Sequence, residues 1–321
     1  MTAHRVVGLS GSTVLVTGAG GFIGCHLSAA LRDAGARVVG FSRQMPASGQ
    51  AGVQYLEGDL ANAGQVGEAV SDLAPDYVFH LASLKNKATG MDDLRAALRN
   101  DVFGTLNLVE ACLRAGSVKR FVHLGSCEVY GGMEAPFREQ AREAPVSAYS
   151  YAKVSVSHLL QMLGGLHNFA AVELRPSVVY GPGQPAGMFV PTVIASLLAG
   201  KHFPMSEGEQ TRDFVYVGDV VEAMLLAAVN PDCSGQIINV SSGSPVSIRR
   251  VAAMVAEQIG GGAHDLLGIG EQPYRSGEAM QYWADNSKAE AVLGWKPRVP
   301  LSDGLSRSID YYRRSMCQTN A

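Results

Sequence analysis

The sequence predicts an α/β fold, a doubly wound parallel sheet followed by a smaller C-terminal α/β lobe. Three observations carry that reading. Apolar, β-branched strand patterns alternate with helix patterns through the first half of the chain, a glycine run interrupts the first strand-to-helix junction, and the alternation loses its regularity after about residue 179. Such alternation sets parallel strands side by side with helices on both faces. Ligands of such sheets sit beyond the carboxyl ends of the strands, so the segments after Thr17, Phe41, Glu57, His80, Leu124 and Arg175 should line one crevice.

The first junction is Val14-Leu-Val-Thr17-Gly18-Ala-Gly20-Gly21-Phe22-Ile23-Gly24, with glycines 18, 21 and 24 spaced G-x-x-G-x-x-G. A helix pattern (Phe22, Ile23, Leu27, Ala30, Leu31) begins inside the run and stops at Asp33-Ala34-Gly35, before the second strand Arg37–Phe41. Glycine is needed where φ is positive or where a ligand approaches closer than a Cβ allows, and the new helix aims free amides at the same spot. A pyrophosphate fits there, and Gly24 lets the helix lie close on the strand. Glycines so spaced also serve plain structural turns; strand, helix and second strand together specify a dinucleotide site.

A third strand follows at Val53–Glu57, with Asp59 and Leu60 just past its glycine, then a helix pattern to Leu73 and a fourth strand, Tyr77–Leu81. Leu94 to Gly116 reads as one long amphipathic helix, Arg120–Leu124 as a fifth strand, Tyr149 to Leu163 as a helix, and Ala171–Arg175 as a strand. Residues 1–178 are therefore assigned to a dinucleotide-binding domain that also draws on the C-terminal half, and 179–321 to a smaller lobe. That lobe opens at the turn Tyr180-Gly-Pro-Gly-Gln-Pro185. It holds a strand opened by Arg212–Val217, a helix at Val220–Val229, and a last helix ending near Tyr312.

Composition narrows the function. A net charge of −3 and a pI of about 6.2 give no basic surface for nucleic acid or an anionic membrane. Apolar runs stop short of a membrane span and Met1 to Ser10 lacks the layout of a secretion signal, so a cytoplasmic protein is expected. The five cysteines (25, 112, 127, 233, 317) form no C-x-x-C pair and no zinc spacing; reduced thiols and no metal are expected. His80 and His123 lie in apolar strands and read as satisfied core histidines. Lys85-Asn86-Lys87, after the fourth strand, reads either as a pyrophosphate contact or as a solvated loop.

Tyr149 and Lys153 stand four residues apart, on one helix face. A phenol near its ordinary pKa of about 10 is a poor acid or base at neutral pH, and a neighbouring ammonium favours the phenolate. Ser126, past the fifth strand, can donate to a carbonyl oxygen in the same crevice. With these residues the chain resembles the extended short-chain dehydrogenase/reductases, a family of nucleotide-sugar epimerases, dehydratases, decarboxylases and reductases. The resemblance runs through Thr17-Gly-x-x-Gly-Phe-Ile-Gly24, Gly58-Asp59-Leu60, His80-Leu81-Ala82, Ser126-x-x-Val-Tyr-Gly131, Tyr149-x-x-x-Lys153, Arg175-Pro176, Tyr180-Gly-Pro-Gly183, Arg212-Asp213-Phe214 and Leu293-Gly-Trp295.

By that resemblance the parallel sheet is a Rossmann fold, Ser126 polarises the sugar oxygen, Tyr149 exchanges its proton, and Lys153 holds the nicotinamide ribose and tunes Tyr149. Cofactor contacts are implied for Gly18, Gly21, Phe22, Ile23 and Gly24, for Ser42 and Arg43, for Asp59 and Leu60, for Leu81, Ala82 and Ser83, and for Tyr149 and Lys153. The nucleotide-sugar substrate would meet Ser126, Glu128, Tyr149, Arg212 and Arg275, the two arginines holding its diphosphate. The resemblance also implies a homodimer.

Four departures from the family pattern refine the expectation. Gly40-Phe41-Ser42-Arg43 lacks the acidic residue that NAD-dependent members carry after the second strand, and Arg43 can pair with a 2′-phosphate, so NADP(H) is expected. Cys127 replaces the acid that 4,6-dehydratases use, which disfavours dehydration. Asp101 replaces an Asn, and Val178 replaces an Asn that contacts substrate phosphate in epimerases. Within the family the chain most resembles NDP-4-keto-6-deoxyhexose reductases, through Gly125-Ser-x-Glu128-Val-Tyr130, Tyr274-Arg275-x-x-Glu278 and Asp285-Asn286-Ser287-Lys288, and that resemblance implies an NADPH-dependent reductase of a dTDP- or GDP-linked 4-keto-6-deoxyhexose in deoxysugar biosynthesis. The alternatives are an NAD-dependent nucleotide-sugar 4-epimerase and a non-catalytic cofactor-sensing protein.

Overall fold

The structure, a computed structural model, describes residues 7–45, 49–85 and 89–319. Strands β1 (Thr13–Thr17), β2 (Arg37–Ser42), β3 (Val53–Glu57), β4 (Tyr77–His80), β5 (Arg120–Leu124) and β6 (Ala171–Pro176) alternate with helices α1 (Phe22–Asp33), α2 (Ala63–Leu73), α3 (Met91–Ala97), α4 (Gly104–Ala115) and α5 (Ala148–His167). Beyond them lie β7 (Val178–Tyr180), α6 (Phe189–Leu198), β8 (Phe203–Met205), β9 (Thr211–Arg212), β10 (Phe214–Tyr216), α7 (Val217–Val229) and β11 (Ile237–Val240). The chain continues with β12 (Val246–Ser247), α8 (Ile248–Ile259), β13 (Leu267–Ile269), β14 (Gln281–Tyr282), α9 (Ser287–Leu293) and α10 (Leu301–Thr319).

The central sheet has seven parallel strands in the order β11-β6-β5-β4-β1-β2-β3. Chain order reverses beside β1, the point at which a doubly wound sheet opens its ligand crevice. The strand tips there are level, with Thr17 opposite Phe41 on one side and His80 on the other. Two buried apolar clusters cover the sheet: Val14, Leu27 and Leu31 with residues of α7 on one face, and Leu15, Phe121, Leu108 and Leu160 on the other. A third cluster, with Val193, Ile194, Val251, Val255, Leu305 and Ile309, gathers α6, α8 and α10.

The strand expected from Arg212 is split. Asp213, fully buried between β9 and β10, accepts from Ser177 Oγ (3.2 Å) and from the amides of Ser242 (2.8 Å) and Gly243 (3.0 Å), so it pins three segments together. The long helix expected from Leu94 is also interrupted: Leu98–Phe103 is a π-helical turn joining α3 to α4, and it carries Asp101 inward. Such turns shift the register of the helix face that follows.

His80 is satisfied, as the sequence suggests. Thr17 Oγ1 accepts from the Ala82 amide (3.3 Å), so its own proton goes to His80 Nδ1 (2.7 Å), while Nε2 donates to Thr105 Oγ1 (2.8 Å), whose proton goes to the Asp101 carbonyl. Burial takes His80 down to about 3, which keeps it neutral. His123, stacked on His80 at 5.4 Å, is buried too, and among the described residues no side chain hydrogen-bonds its ring nitrogens. Of the lysine-rich loop expected after β4, Asn86 and Lys87 lie outside the described residues.

Candidate active site

A cleft of about 830 Å³ opens above the tips of β1, β2 and β4. Gly18, Gly21, Ser42, Arg43, Asp59, Leu60, Ala82 and Ser83, all expected cofactor contacts, line it. Gly18 has φ +72°, and a Cβ there would stand 2.9 Å from the Ala82 amide nitrogen. No side chain caps α1, so the amides of its first turn are left for a ligand. This is a cradle for a diphosphate, and the residues present fit a dinucleotide.

Phe22, Ile23 and Gly24 form the first turn of α1 and bring backbone amides to the cradle rather than side chains to the cleft wall; Gly24 lies so close to the turn that a Cβ would meet Gly18 O at 2.1 Å. Leu81 packs against the core beneath. The Ser42 hydroxyl donates to Gln44 O (2.6 Å), while Arg43 is exposed on the rim. Sequence reasoning missed Leu84, Asn100 and Asp101 as cleft walls. The signal was present at Asp101, as a departure from the family pattern, but the π turn that aims it inward leaves no mark in hydrophobic periodicity.

Ser126, Tyr149 and Lys153 converge beside this cleft. Ser126 caps the short turn Cys127–Tyr130, its Oγ accepting from the Glu128 amide (3.1 Å), and it stands near enough to the Tyr149 phenol to favour its ionised form. Tyr149 is fixed in the first turn of α5 by a reciprocal cap between Ser147 and Ser150. Lys153 Nζ donates to Leu124 O (2.7 Å) at the tip of β5 and stands 5.8 Å from the centre of the Tyr149 ring. Burial pushes the Tyr149 phenol up, with Ser126 acting against it, and pulls Lys153 down to about 8, with Asp101 and Glu173 acting against that.

Glu128, half-buried, is within electrostatic reach of Tyr149, Arg212 and Tyr282. Arg212 is not free: its guanidinium donates to Thr211 O (2.7 Å), Ala279 O (2.8 Å) and the Glu278 carboxylate, and lies over the Tyr282 ring. Arg275 is exposed, near enough to Arg212 to act on its charge. Cys127, where dehydratases carry an acid, is fully buried, and its Sγ donates to Arg175 O (3.2 Å). Val178 pairs with Phe214 between β7 and β10.

Fold and site together define a dinucleotide-binding α/β protein with a serine, tyrosine and lysine gathered at its strand tips. The chain belongs to the NAD dependent epimerase/dehydratase family, which it matches over residues 14–241. It is 33% identical to a UDP-glucose 4-epimerase of Mycolicibacterium smegmatis over 93% of this chain and 98% of that protein. Among solved structures, MoeE5 in complex with UDP-glucuronic acid and NAD is 34% identical with a TM-score of 0.85, covering 94% of this chain and 99% of that one. A UDP-glucose 4-epimerase of Thermotoga maritima with UDP-glucose superposes with a TM-score of 0.87 at 28% identity, over 95% and 99% of the two chains. No helix among the described residues is long and apolar enough to cross a membrane.

Proposed function

We propose that this chain is a nucleotide-sugar 4-epimerase acting on a UDP-hexose. The observation that carries the reading is the Ser126, Tyr149 and Lys153 constellation beside the dinucleotide cleft, in a chain alignable almost end to end with 4-epimerases. Tyr149 takes the proton of the sugar 4-hydroxyl and later returns it to the 4-keto oxygen; Ser126 donates to that oxygen and holds it; Lys153 supplies the positive charge that lets a buried phenol ionise. The bound dinucleotide supplies a hydride acceptor and donor at its nicotinamide ring. Gly18, Gly21 and the first turn of α1 hold its diphosphate, and Asp59 its adenosine end.

The reductase expectation came from a family resemblance, with Cys127 set against dehydration and Val178 against epimerisation; the alignment with 4-epimerases over nearly the whole chain supports the epimerase instead. The cofactor expectation stands apart from that choice. The tip of β2 presents Ser42 and Arg43 to the cleft, and NADP(H) remains our proposed cofactor. A homodimer is proposed through the outer faces of α4 and α5, where Leu106, Leu113, Met162 and Leu166 are exposed beside Phe103.

Purified protein given UDP-glucose or UDP-galactose without added cofactor should interconvert them. Stoichiometric oxidation of NADPH by a nucleotide-linked 4-keto-6-deoxyhexose, with no interconversion of UDP-hexoses, would overturn the reading in favour of a reductase.

A further inference from the structure

Arg175, near the tip of β6, is fully buried. Its Nε donates to Glu173 Oε1 (2.8 Å), and its Nη2 donates both to Glu143 Oε1 (2.8 Å) and to Ser157 Oγ (2.9 Å). The guanidinium carbon lies 5.2 Å from the centre of the Tyr130 ring, and the Arg175 carbonyl accepts from Cys127 Sγ (3.2 Å). Tyr130 is anchored in turn by its hydroxyl, which donates to Asn239 Oδ1 on β11 (2.8 Å).

These partners belong to the elements that carry the reacting groups. Cys127 and Tyr130 are the two ends of the turn that Ser126 caps. Ser157 follows Tyr149 and Lys153 along one buried stripe of α5, one helical turn beyond the lysine. Glu143 lies in the segment 131–146, which leads from the turn into α5: the neighbouring Ala144 amide donates back to Val129 O (2.9 Å), and Ser147, just beyond, is the cap that fixes Tyr149. Glu143 Oε2 also lies 3.6 Å from Nε2 of His158 on α5. Glu173 sits beneath the residue before Ser126, where a Cβ at Gly125 would stand 2.5 Å from its Oε1. One guanidinium therefore bonds the helix of Tyr149 and Lys153, bonds the segment that leads into it, and packs on the turn of Ser126. Apolar side chains often serve stability as well as a buried ion group of this kind; what the ion group adds is a fixed direction.

We propose that Arg175, aimed by Glu143, is a positioning residue that sets the distance between Ser126 and Tyr149. The proposal rests on the reading above, in which both hydroxyls act on one sugar oxygen.

Glu143, on the partly exposed side of the group, is the place to loosen it. In Glu143→Ala the bonds of Arg175 to Glu173 and Ser157 remain. For UDP-hexose interconversion, kcat should fall about 10- to 100-fold with KM within about twofold, because misplaced groups cost the chemical step more than binding. Glu143→Gln, whose amide oxygen can still accept from Nη2, should recover most of that loss. In a Ser126→Ala background the same Glu143→Ala change should cost less than about threefold, since no distance to that hydroxyl is left to keep. If Glu143→Ala does not fold, Ser157→Ala, which removes the other acceptor of Nη2, must show the same split and the same dependence on Ser126. A kcat within about threefold of wild type in the folded variants, or an equal cost with and without the Ser126 hydroxyl, overturns the proposal. Hydrogen exchange of the purified protein supplies a readout that needs no substrate. Glu143→Ala should speed exchange in 127–130 and 148–153 together and leave 13–33 unchanged, and Glu143→Gln should restore the wild-type pattern. Loosening confined to 131–146 overturns the proposal as well. Wild-type protein that interconverts no UDP-hexose would overturn the reading above, while the exchange pattern would still decide the role of Arg175.

Discussion

Lys153 and Tyr149, one helical turn apart on α5, place an ammonium 5.8 Å from the centre of a phenol ring. Both are buried, and burial opposes both useful charge states: it raises the phenol and lowers the ammonium. Each charge is therefore most accessible when the other is present. Tyr149→Phe removes only the hydroxyl, so it should leave dinucleotide binding near wild type and cut turnover by roughly a thousandfold, about 4 kcal/mol in barrier. Single-turnover kinetics beside a cofactor titration check both halves. More than about a tenth of wild-type turnover, a loss below about 1.4 kcal/mol, would remove Tyr149 as the proton carrier.

Arg43 stands exposed at the rim of the cleft, beyond the tip of β2. If it pairs with a 2′-phosphate, Arg43→Ala should weaken NADP(H) by about 10- to 100-fold, a charge-assisted contact of about 1.5–3 kcal/mol, and leave NAD(H) nearly untouched. Equal effects on the two cofactors, measured by direct binding, would place Arg43 outside cofactor selection.

The glycine turn was legible because its chemistry is local: a positive φ and a close backbone approach each demand glycine within a few residues. Tyr149 and Lys153 were legible because helical spacing alone puts them on one face. What escaped was set at longer range or by irregular backbone. Asp101 enters the cleft through a π turn inside an otherwise regular apolar pattern. Cys127 follows Ser126 directly, yet a tight 3₁₀ turn buries the thiol. The bond of Arg212 to Glu278 joins residues far apart in sequence, and the split of the strand at Asp213 depends on amides from the Ser242 loop. No window of local sequence holds those partners.

Two glycines test the backbone argument in opposite directions. A Cβ at Gly24 would meet Gly18 O at 2.1 Å and Ala19 Cα at 2.9 Å, both backbone atoms that cannot step aside, so Gly24→Ala should cost more than about 3 kcal/mol or prevent folding. Gly67, inside α2, has nothing within 4 Å of the same added atom. Gly67→Ala should therefore stabilise the chain by about 0.5–1 kcal/mol through helix propensity. Denaturant unfolding of both variants decides it; a harmless Gly24→Ala would mean that α1 does not lie so close on the turn.

Arg212 and Arg275 separate support of the site from contact with substrate. Arg212 is mostly buried and bonded to Glu278, Thr211 O and Ala279 O, so its loss removes a donor from a carboxylate and from two carbonyls. Arg212→Ala should lower the melting temperature whatever else it does. Arg275 is exposed, and Arg275→Ala should leave the melting temperature unchanged. If both guanidiniums hold the substrate diphosphate, both variants should raise KM by about 10- to 100-fold with kcat largely kept, because the diphosphate is bound alike in ground and transition states. Arg275→Ala with wild-type KM would remove that residue from the diphosphate site. Arg212→Ala that loses stability at unchanged KM would show a guanidinium that serves only to brace Glu278 and the segment around Ala279.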